Sequence, residues 1–141
     1  MRFAFLTATP LNPFEGSGTY AGLAALAAGL RVLGHEVEIV APDPRLPVFT
    51  LRRLWFNEQL RRRRWEAFDL VVGFDMDGYR IAGRTGRPHV ASIKGLIADE
   101  MRFERGATRL SMAAQAACEA RHVRRASLVV TTSRYLAARL E

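Results

Sequence analysis

The sequence of 141 residues has a single cysteine, a single lysine and no long apolar run. One cysteine, Cys118, cannot form an internal disulfide bond, which excludes the small disulfide-stapled folds and suits a reducing compartment. No apolar stretch approaches the roughly 18 residues that a membrane-spanning helix needs. The N-terminal region also lacks the small-residue cleavage site of a secretory signal peptide. The sequence therefore predicts a cytoplasmic protein.

Motifs that would identify several catalytic classes are also absent. The three histidines share no metal-ligand spacing, and the sequence contains neither a G-x-S-x-G elbow nor a P-loop. We therefore expect no metal ion, no cofactor and no serine or cysteine nucleophile. Asp99, Glu100 and Glu104 could supply an acid/base pair for hydrolysis, but nothing in the sequence determines the distance between them.

The composition is that of an ordinary folded domain. Hydrophobic residues make up 49% of the chain and charged residues 25%, close to the average for soluble globular proteins. A chain of this length buries about 68–70% of its unfolded surface, which suffices for one hydrophobic core. The last helical pattern has no terminating glycine, so we expect residues 1–141 to form one domain that is cut off before a second.

Short apolar segments alternate with helical patterns, which predicts an α/β fold with an open parallel β-sheet. The predicted strands cover residues 3–8, 37–40, 70–74, 89–93 and 128–132. The predicted helices cover residues 18–33, 50–67, 78–84, 109–125 and 135–140. Gly34 is suited to end the first helix in a left-handed conformation, and Thr50 is suited to cap the second.

The loop between the first strand and the first helix contains the sequence E-G-S-G-T-Y at residues 15–20. Glycines let a ligand approach the backbone, and the N-terminus of the following helix offers free N–H groups that suit a phosphate. Gly16, Gly18 and Ala21 also imitate a dinucleotide-binding fingerprint, although the loop is longer than the tight turn of such sites. The third interpretation is a turn that only starts a helix.

The ordered set of motifs resembles the N-terminal half of a GT-B glycosyltransferase of family 4, a large retaining family. These motifs are R-F-A-F-L at 2–6, G-S-G-T-Y at 16–20, G-H-E-V-E-I-V at 34–40, D-L-V-V at 69–72, R-P-H-V-A-S-I-K-G at 87–95, Glu119 and A-S-L-V-V-T-T-S at 126–133. The resemblance spans essentially the whole chain. It implies a Rossmann-like sheet with helices on both faces, which holds the acceptor and needs a C-terminal domain for the nucleotide sugar. The chain by itself would then be inactive.

The resemblance also implies roles for residues near the donor. Gly16, Ser17 and Gly18 match the loop that reaches the donor diphosphate, where backbone N–H groups can stabilise the leaving group without a metal ion. Lys94 is the single lysine among 21 basic residues and stands where the family often has a histidine. As a cation it could hold a phosphate or an acceptor carboxylate, which makes it the catalytic candidate. Otherwise Lys94 is a surface residue that leads into a loop.

The acceptor-binding candidates lie in the first helix or just after predicted strands. They are Thr19, Tyr20, Asp75, Ser133 and Arg134. Asp75 and its neighbour Asp77 could accept hydrogen bonds from sugar hydroxyls, or could instead start a helix by offsetting its dipole. Ser133 could instead cap the last helix.

The net charge of +7 is concentrated in one segment, since residues 45–66 hold seven arginines against two glutamates. From Arg52 to Trp65 the segment mixes arginines with aromatic residues, as in helices that lie on an anionic membrane surface. The other interpretation is an arginine-rich outer face with the aromatic rings packed on the sheet. No nucleic-acid-binding module is recognisable, so we expect no nucleic-acid partner.

The sequence leads to two hypotheses for the function. The first is the N-terminal domain of a retaining hexosyltransferase that moves a sugar from a nucleotide-sugar donor to a glycan or lipid-linked acceptor, at the inner face of the membrane. The alternative is a non-catalytic basic α/β module that binds an anionic membrane surface or polymer. The two differ in whether the natural polypeptide is expected to continue beyond Glu141 into a second domain.

Overall fold

A computed structural model describes residues 1–11, 17–42 and 48–140 of the chain. The strands are β1 Arg2–Leu6, β2 Glu36–Val40, β3 Leu70–Phe74, β4 His89–Ile93 and β5 Leu128–Thr131, and all neighbouring pairs are parallel. The helices of the described residues are α1 Ser17–Val32, α2 Phe49–Leu60, α3 Ile97–Glu100, α4 Gly106–Arg125 and α5 Arg134–Leu140, with a 3₁₀ turn at Met101–Phe103. The sheet order is β2-β1-β3-β4-β5.

The sheet is covered by helices on both faces because successive side chains of a strand point to opposite sides. On one face Phe5 of β1 packs in a buried cluster with Leu23 of α1. On the other face Leu6 packs in a second cluster with Phe56 of α2. The predicted Rossmann-like α/β fold is therefore confirmed. The strand order reverses between β1 and β3, and open sheets bind ligands beside the carboxyl ends of strands at such a point.

The second helix differs from its predicted range at both ends. It ends at Leu60 instead of residue 67, and the indole Nε1 of buried Trp65 donates to the Leu60 carbonyl at 3.2 Å. This bond satisfies one of the acceptors that a helix C-terminus leaves free. Thr50 is not the cap, because the helix already begins one residue before it. Its hydroxyl instead contacts the Ser111 hydroxyl of α4 at 2.7 Å.

The prediction of a helix over residues 78–84 is wrong. The chain makes a series of turns there, with φ of +112° at Gly78 and +69° at Gly83. Glycine adopts such positive φ values without steric cost, but they interrupt a right-handed helix. The short helix α3 was not predicted, and the other elements begin and end within three residues of their predicted limits.

A buried ion pair joins four parts of the chain near the carboxyl ends of the strands. Asp77 accepts from Arg53 Nε at 3.2 Å and Nη2 at 3.3 Å, from the Ala8 backbone N–H at 2.7 Å and from Asn57 Nδ2 at 3.2 Å. Arg53 Nη1 also donates to Gln115 of α4 at 3.2 Å. Burial lowers the pKa of Arg53, but its ion pair and hydrogen bonds with Asp77 outweigh this and the pKa lies above the ordinary value.

We predict that Asp77→Ala lowers the free energy of unfolding by about 3–5 kcal/mol, because it leaves the Arg53 charge buried without its partner. Urea denaturation followed by circular dichroism measures this change. Asp69→Ala is the matched control, since Asp69 is exposed and accepts one hydrogen bond, from the Arg2 N–H at 2.7 Å. The control should cost about 1 kcal/mol or less. Equal losses in both variants would contradict the central role of the ion pair.

Candidate functional site

A polar cavity of about 330 Å³ opens at the carboxyl ends of the strands. Its lining residues come from α1, α2, α3 and the segments after β3 and β4; they are Thr19, Arg53, Asp75, Lys94, Gly95, Ile97 and Glu100. The cavity therefore lies at the edge where the fold predicts a ligand. Four of the residues that the sequence singled out, Thr19, Asp75, Lys94 and Glu100, line it together. Their proposed roles stay predictions.

The Lys94 ammonium bridges the cavity from the end of β4 to the first turn of α1. Its Nζ donates to the Thr19 carbonyl oxygen at 2.9 Å and lies 5.5 Å from the centre of the Phe74 ring. Burial lowers the pKa of Lys94, and the nearby Asp75 carboxylate opposes this shift. An ammonium has three N–H donors. The bond to Thr19 uses one, and the other two have no partner among the described residues.

Asp75 has a left-handed backbone conformation, with φ of +53°. Its N–H donates to the Ser92 carbonyl at 2.9 Å, and its carbonyl accepts from His122 Nδ1 at 2.6 Å. Its Oδ1 accepts from the Lys94 N–H at 3.2 Å. Burial raises the pKa of Asp75, although Arg53 opposes the shift. A strained backbone held by several bonds is typical of ligand sites.

The histidine that holds Asp75 belongs to a buried pair, His89 and His122, whose Nε2 atoms are 2.8 Å apart. A carbonyl only accepts, so the proton of His122 is on Nδ1 and its Nε2 accepts from His89 Nε2–H. Burial lowers the pKa of His89 to about 3, and His122 adds to this shift. Burial also lowers the pKa of His122. Both rings are therefore neutral near pH 7.

Glu119 of α4 lies behind the cavity and is 3% exposed. Its Oε2 accepts from the Ile97 N–H at 3.0 Å, which fixes the start of α3. Its Oε1 has no hydrogen-bond partner among the described residues. Burial raises the pKa of Glu119 to about 7, and the bond from Ile97 opposes this shift. Glu119 thus holds a cavity wall in place.

The residues predicted to meet the donor lie beside the cavity or outside the described residues. Gly16 is outside them. Ser17 and Gly18 form the start of α1, just before Thr19, and Gly18 is exposed. An added Cβ at Gly18 would meet no atom of the described residues within 4 Å. The backbone there is open to a ligand.

The other acceptor candidates do not line the cavity. Tyr20 is half-buried, directly after Thr19. Ser133 Oγ accepts from the Leu136 N–H at 3.2 Å, which is the predicted helix cap, and Arg134 is exposed in α5. Asp77 is fully buried in its ion pair and is not available to sugar hydroxyls.

The sequence analysis missed Arg53 because it treated the arginines of its segment as a surface. The buried side chains of α2 are Arg53, Phe56, Asn57 and Leu60. This spacing of three and four residues is the stripe that a helix turns toward the core. Two of its four members are polar, so a search for apolar residues does not reveal it.

A family model described as "Glycosyl transferase 4-like domain" matches residues 15–141. Among curated proteins, none matches the chain. In the described part of the chain, no helix is long and apolar enough to cross a membrane. Within the same residues, no group of three or more His, Cys, Asp or Glu side chains could hold a metal ion.

We predict that Glu119→Gln stabilises the fold at high pH only. The folded-state pKa of about 7 lies above the ordinary value of 4.5, so ionising Glu119 opposes folding as the pH rises through this interval. The gain of the variant over wild type should grow by about 3 kcal/mol from pH 4.5 to above pH 7. Urea denaturation over this range measures it, and a gain that is the same at every pH would contradict the prediction.

Proposed function

The chain belongs to the glycosyl transferase 4-like domain family, and from this we propose that it is the acceptor-side domain of a retaining glycosyltransferase with a nucleotide-sugar donor. A C-terminal domain of the same polypeptide would bind most of the donor. The observation that carries the proposal is the polar cavity at the carboxyl ends of the strands, where Thr19, Asp75 and Lys94 meet.

The first requirement of such a transfer is to stabilise the leaving group. The bond between the anomeric carbon and the diphosphate oxygen breaks, and negative charge builds up on the nucleoside diphosphate. The acceptor hydroxyl oxygen bonds to the same carbon and gives its proton to the departing diphosphate. In our proposal this charge meets the free N–H groups at the start of α1, at Ser17 and Gly18, after the Gly16 loop. The Lys94 ammonium, held by the Thr19 carbonyl at 2.9 Å, adds a positive charge to the same side.

The second requirement is to bind the acceptor through its hydroxyl groups. Carboxylates accept hydrogen bonds from hydroxyls, and the Asp75 carboxylate lines the cavity. Arg53 also lines it, but this guanidinium is bound to Asp77 and Gln115. We therefore assign acceptor binding to Asp75, with Thr19 and Tyr20 beside it. Ser133 and Arg134, after β5, would meet only a larger acceptor.

We predict that Lys94→Met in the natural polypeptide lowers sugar transfer about 100-fold or more, as loss of one charge-stabilising donor does in other enzymes. The assay follows release of nucleoside diphosphate from a panel of nucleotide sugars, with simple glycans and lipid extracts as acceptors.

Arg124→Met is the matched control for this assay. Arg124 is an exposed cation in the last turn of α4, and it does not line the cavity. It should transfer sugar at the wild-type rate. If Lys94→Met also transfers at that rate while folded by circular dichroism, the assignment of Lys94 is wrong.

We also propose that the acceptor is lipid-linked and that α2 lies on an anionic membrane. Phe56 and Trp65, in the segment predicted to bind a membrane, are buried in the core. The opposite side of α2 supports the proposal, because Val48, Leu51 and Trp55 are 52%, 58% and 52% exposed. Leu51 and Trp55, four residues apart, lie on one side of the helix, and Val48 directly precedes it, so that these apolar groups could enter the lipid interface.

We predict that the double variant Leu51→Ser/Trp55→Ser binds phosphatidylglycerol vesicles about tenfold more weakly, because it removes the apolar groups that enter the interface. Cosedimentation measures the binding. Tyr135→Ser is the control, since Tyr135 of α5 is 66% exposed and away from α2. Unchanged binding of the double variant would contradict the assignment of this side of α2 to membrane binding. Vesicle binding by a natural polypeptide that consumes no nucleotide sugar would favour the non-catalytic module.

A further inference from the structure

The space around the histidine pair depends on two glycines. An ideal Cβ at Gly73 of β3 would lie 2.6 Å from His122 Cε1 and 2.0 Å from the Asp77 carbonyl oxygen. At Gly78, a Cβ would lie 3.0 Å from His89 and 3.3 Å from His122. Any larger side chain at Gly73 would displace the pair or the turn after β3. The rings thus sit directly beneath the segment that carries Asp75.

The pair makes a directed chain of hydrogen bonds that ends at the cavity. The Asp75 carbonyl requires a proton on His122 Nδ1, and His122 Nε2 then requires a proton on His89 Nε2. His89 Nδ1 is left as an acceptor and has no partner among the described residues. The two bonds therefore exist together in only one pair of neutral tautomers. A change of tautomer in either ring would break the bond to Asp75 or the bond between the rings.

The bond from His122 has a specific effect on Asp75. A left-handed backbone is disfavoured for a residue with a Cβ atom and persists where the surroundings hold it. The other bonds, from the Asp75 N–H to Ser92 and from the Lys94 N–H to Asp75 Oδ1, hold the amide and the side chain. Among the described residues, only the His122 bond holds the carbonyl group. Its loss removes one of the contacts that hold Asp75 in this disfavoured conformation, and a change of its φ toward the ordinary negative range would move the carboxylate relative to Lys94.

We propose that His122 is a positioning residue of the sugar-transfer site. Through its hydrogen bond to the Asp75 carbonyl, and in a tautomer set by His89, it keeps the Asp75 carboxylate at the cavity for an acceptor hydroxyl. The consequence for transfer rests on the proposed function, whereas the positioning of Asp75 is tested without it.

Two substitutions at His122 separate the two hydrogen bonds. The amide of asparagine reaches the position of Nδ1, so His122→Asn keeps a donor to the Asp75 carbonyl. The amide of glutamine reaches the position of Nε2, so His122→Gln keeps a partner for His89 and loses the donor to Asp75. Both variants lose one buried ring and carry an amide. A difference between them therefore reports on the bond to Asp75.

The first experiment is NMR of the ¹³C,¹⁵N-labelled chain. Long-range ¹H–¹⁵N correlations in the wild type should show the proton on Nδ1 of His122 and on Nε2 of His89. The one-bond Cα–Hα coupling of Asp75 reports positive φ. It should keep its wild-type value in His122→Asn and change in His122→Gln. A proton on His122 Nε2 in the wild type, or an unchanged Asp75 coupling in folded His122→Gln, would overturn the positioning role.

The wild-type tautomers can overturn the positioning role of His122 even if a variant does not fold. His89→Gln is a further check, because a glutamine amide can donate to His122 Nε2 as the His89 ring does, and Asp75 should keep its coupling.

In the transfer assay, His122→Gln should raise the acceptor KM about tenfold with kcat little changed, whereas His122→Asn should have the wild-type KM. Equal KM values in the two variants would overturn the link to acceptor binding. If the NMR results are as expected and the wild-type polypeptide transfers no sugar, the proposed function fails while the positioning of Asp75 stands.

Discussion

The buried ion pair between Arg53 and Asp77 is the constraint on which the rest of the site depends. Both side chains are removed from water, which is costly unless each charge keeps its partner and its other hydrogen bonds. Asp77 meets that condition through bonds from the Ala8 N–H and Asn57, and Arg53 through Gln115. The ends of β1, α2, the turn after β3 and α4 are therefore held in one arrangement. Arg53 of this network also lines the cavity, together with Asp75 from the turn after β3.

Two carboxylates, separated by one residue, serve different purposes because of this arrangement. Asp77 points into the ion pair and is fully buried. The positive φ of Asp75 turns the chain, and its carboxylate lines the cavity beside Lys94. Burial raises the pKa of Asp75, which is common for groups at functional sites. The histidine pair fills the space behind, which Gly73 leaves open.

Helix α2 connects the cavity to the surface. Its buried stripe contains Arg53 and Asn57, which belong to the polar network, while Leu51 and Trp55 are exposed. The same buried stripe contains the apolar Phe56 and Leu60, so α2 has apolar residues on both sides. In the proposed function this has a physical purpose, since one side of α2 meets the membrane while the other supports the acceptor cavity. A lipid-linked acceptor would then reach the cavity from the membrane surface.

The sequence by itself determined the order along the chain of the five strands and of α1, α2, α4 and α5, because the period of apolar residues is a local property. It also located Thr19, Asp75 and Lys94 at one edge, because parallel strands share the edge where their carboxyl ends lie. Only the tertiary structure decided which charges are buried and which histidines meet. Arg53 looks like its neighbouring arginines until Asp77 is placed against it, and His89 and His122 are 33 residues apart. No residue spacing in the sequence predicts a contact between residues so far apart along the chain, because such contacts depend on how whole helices and strands pack.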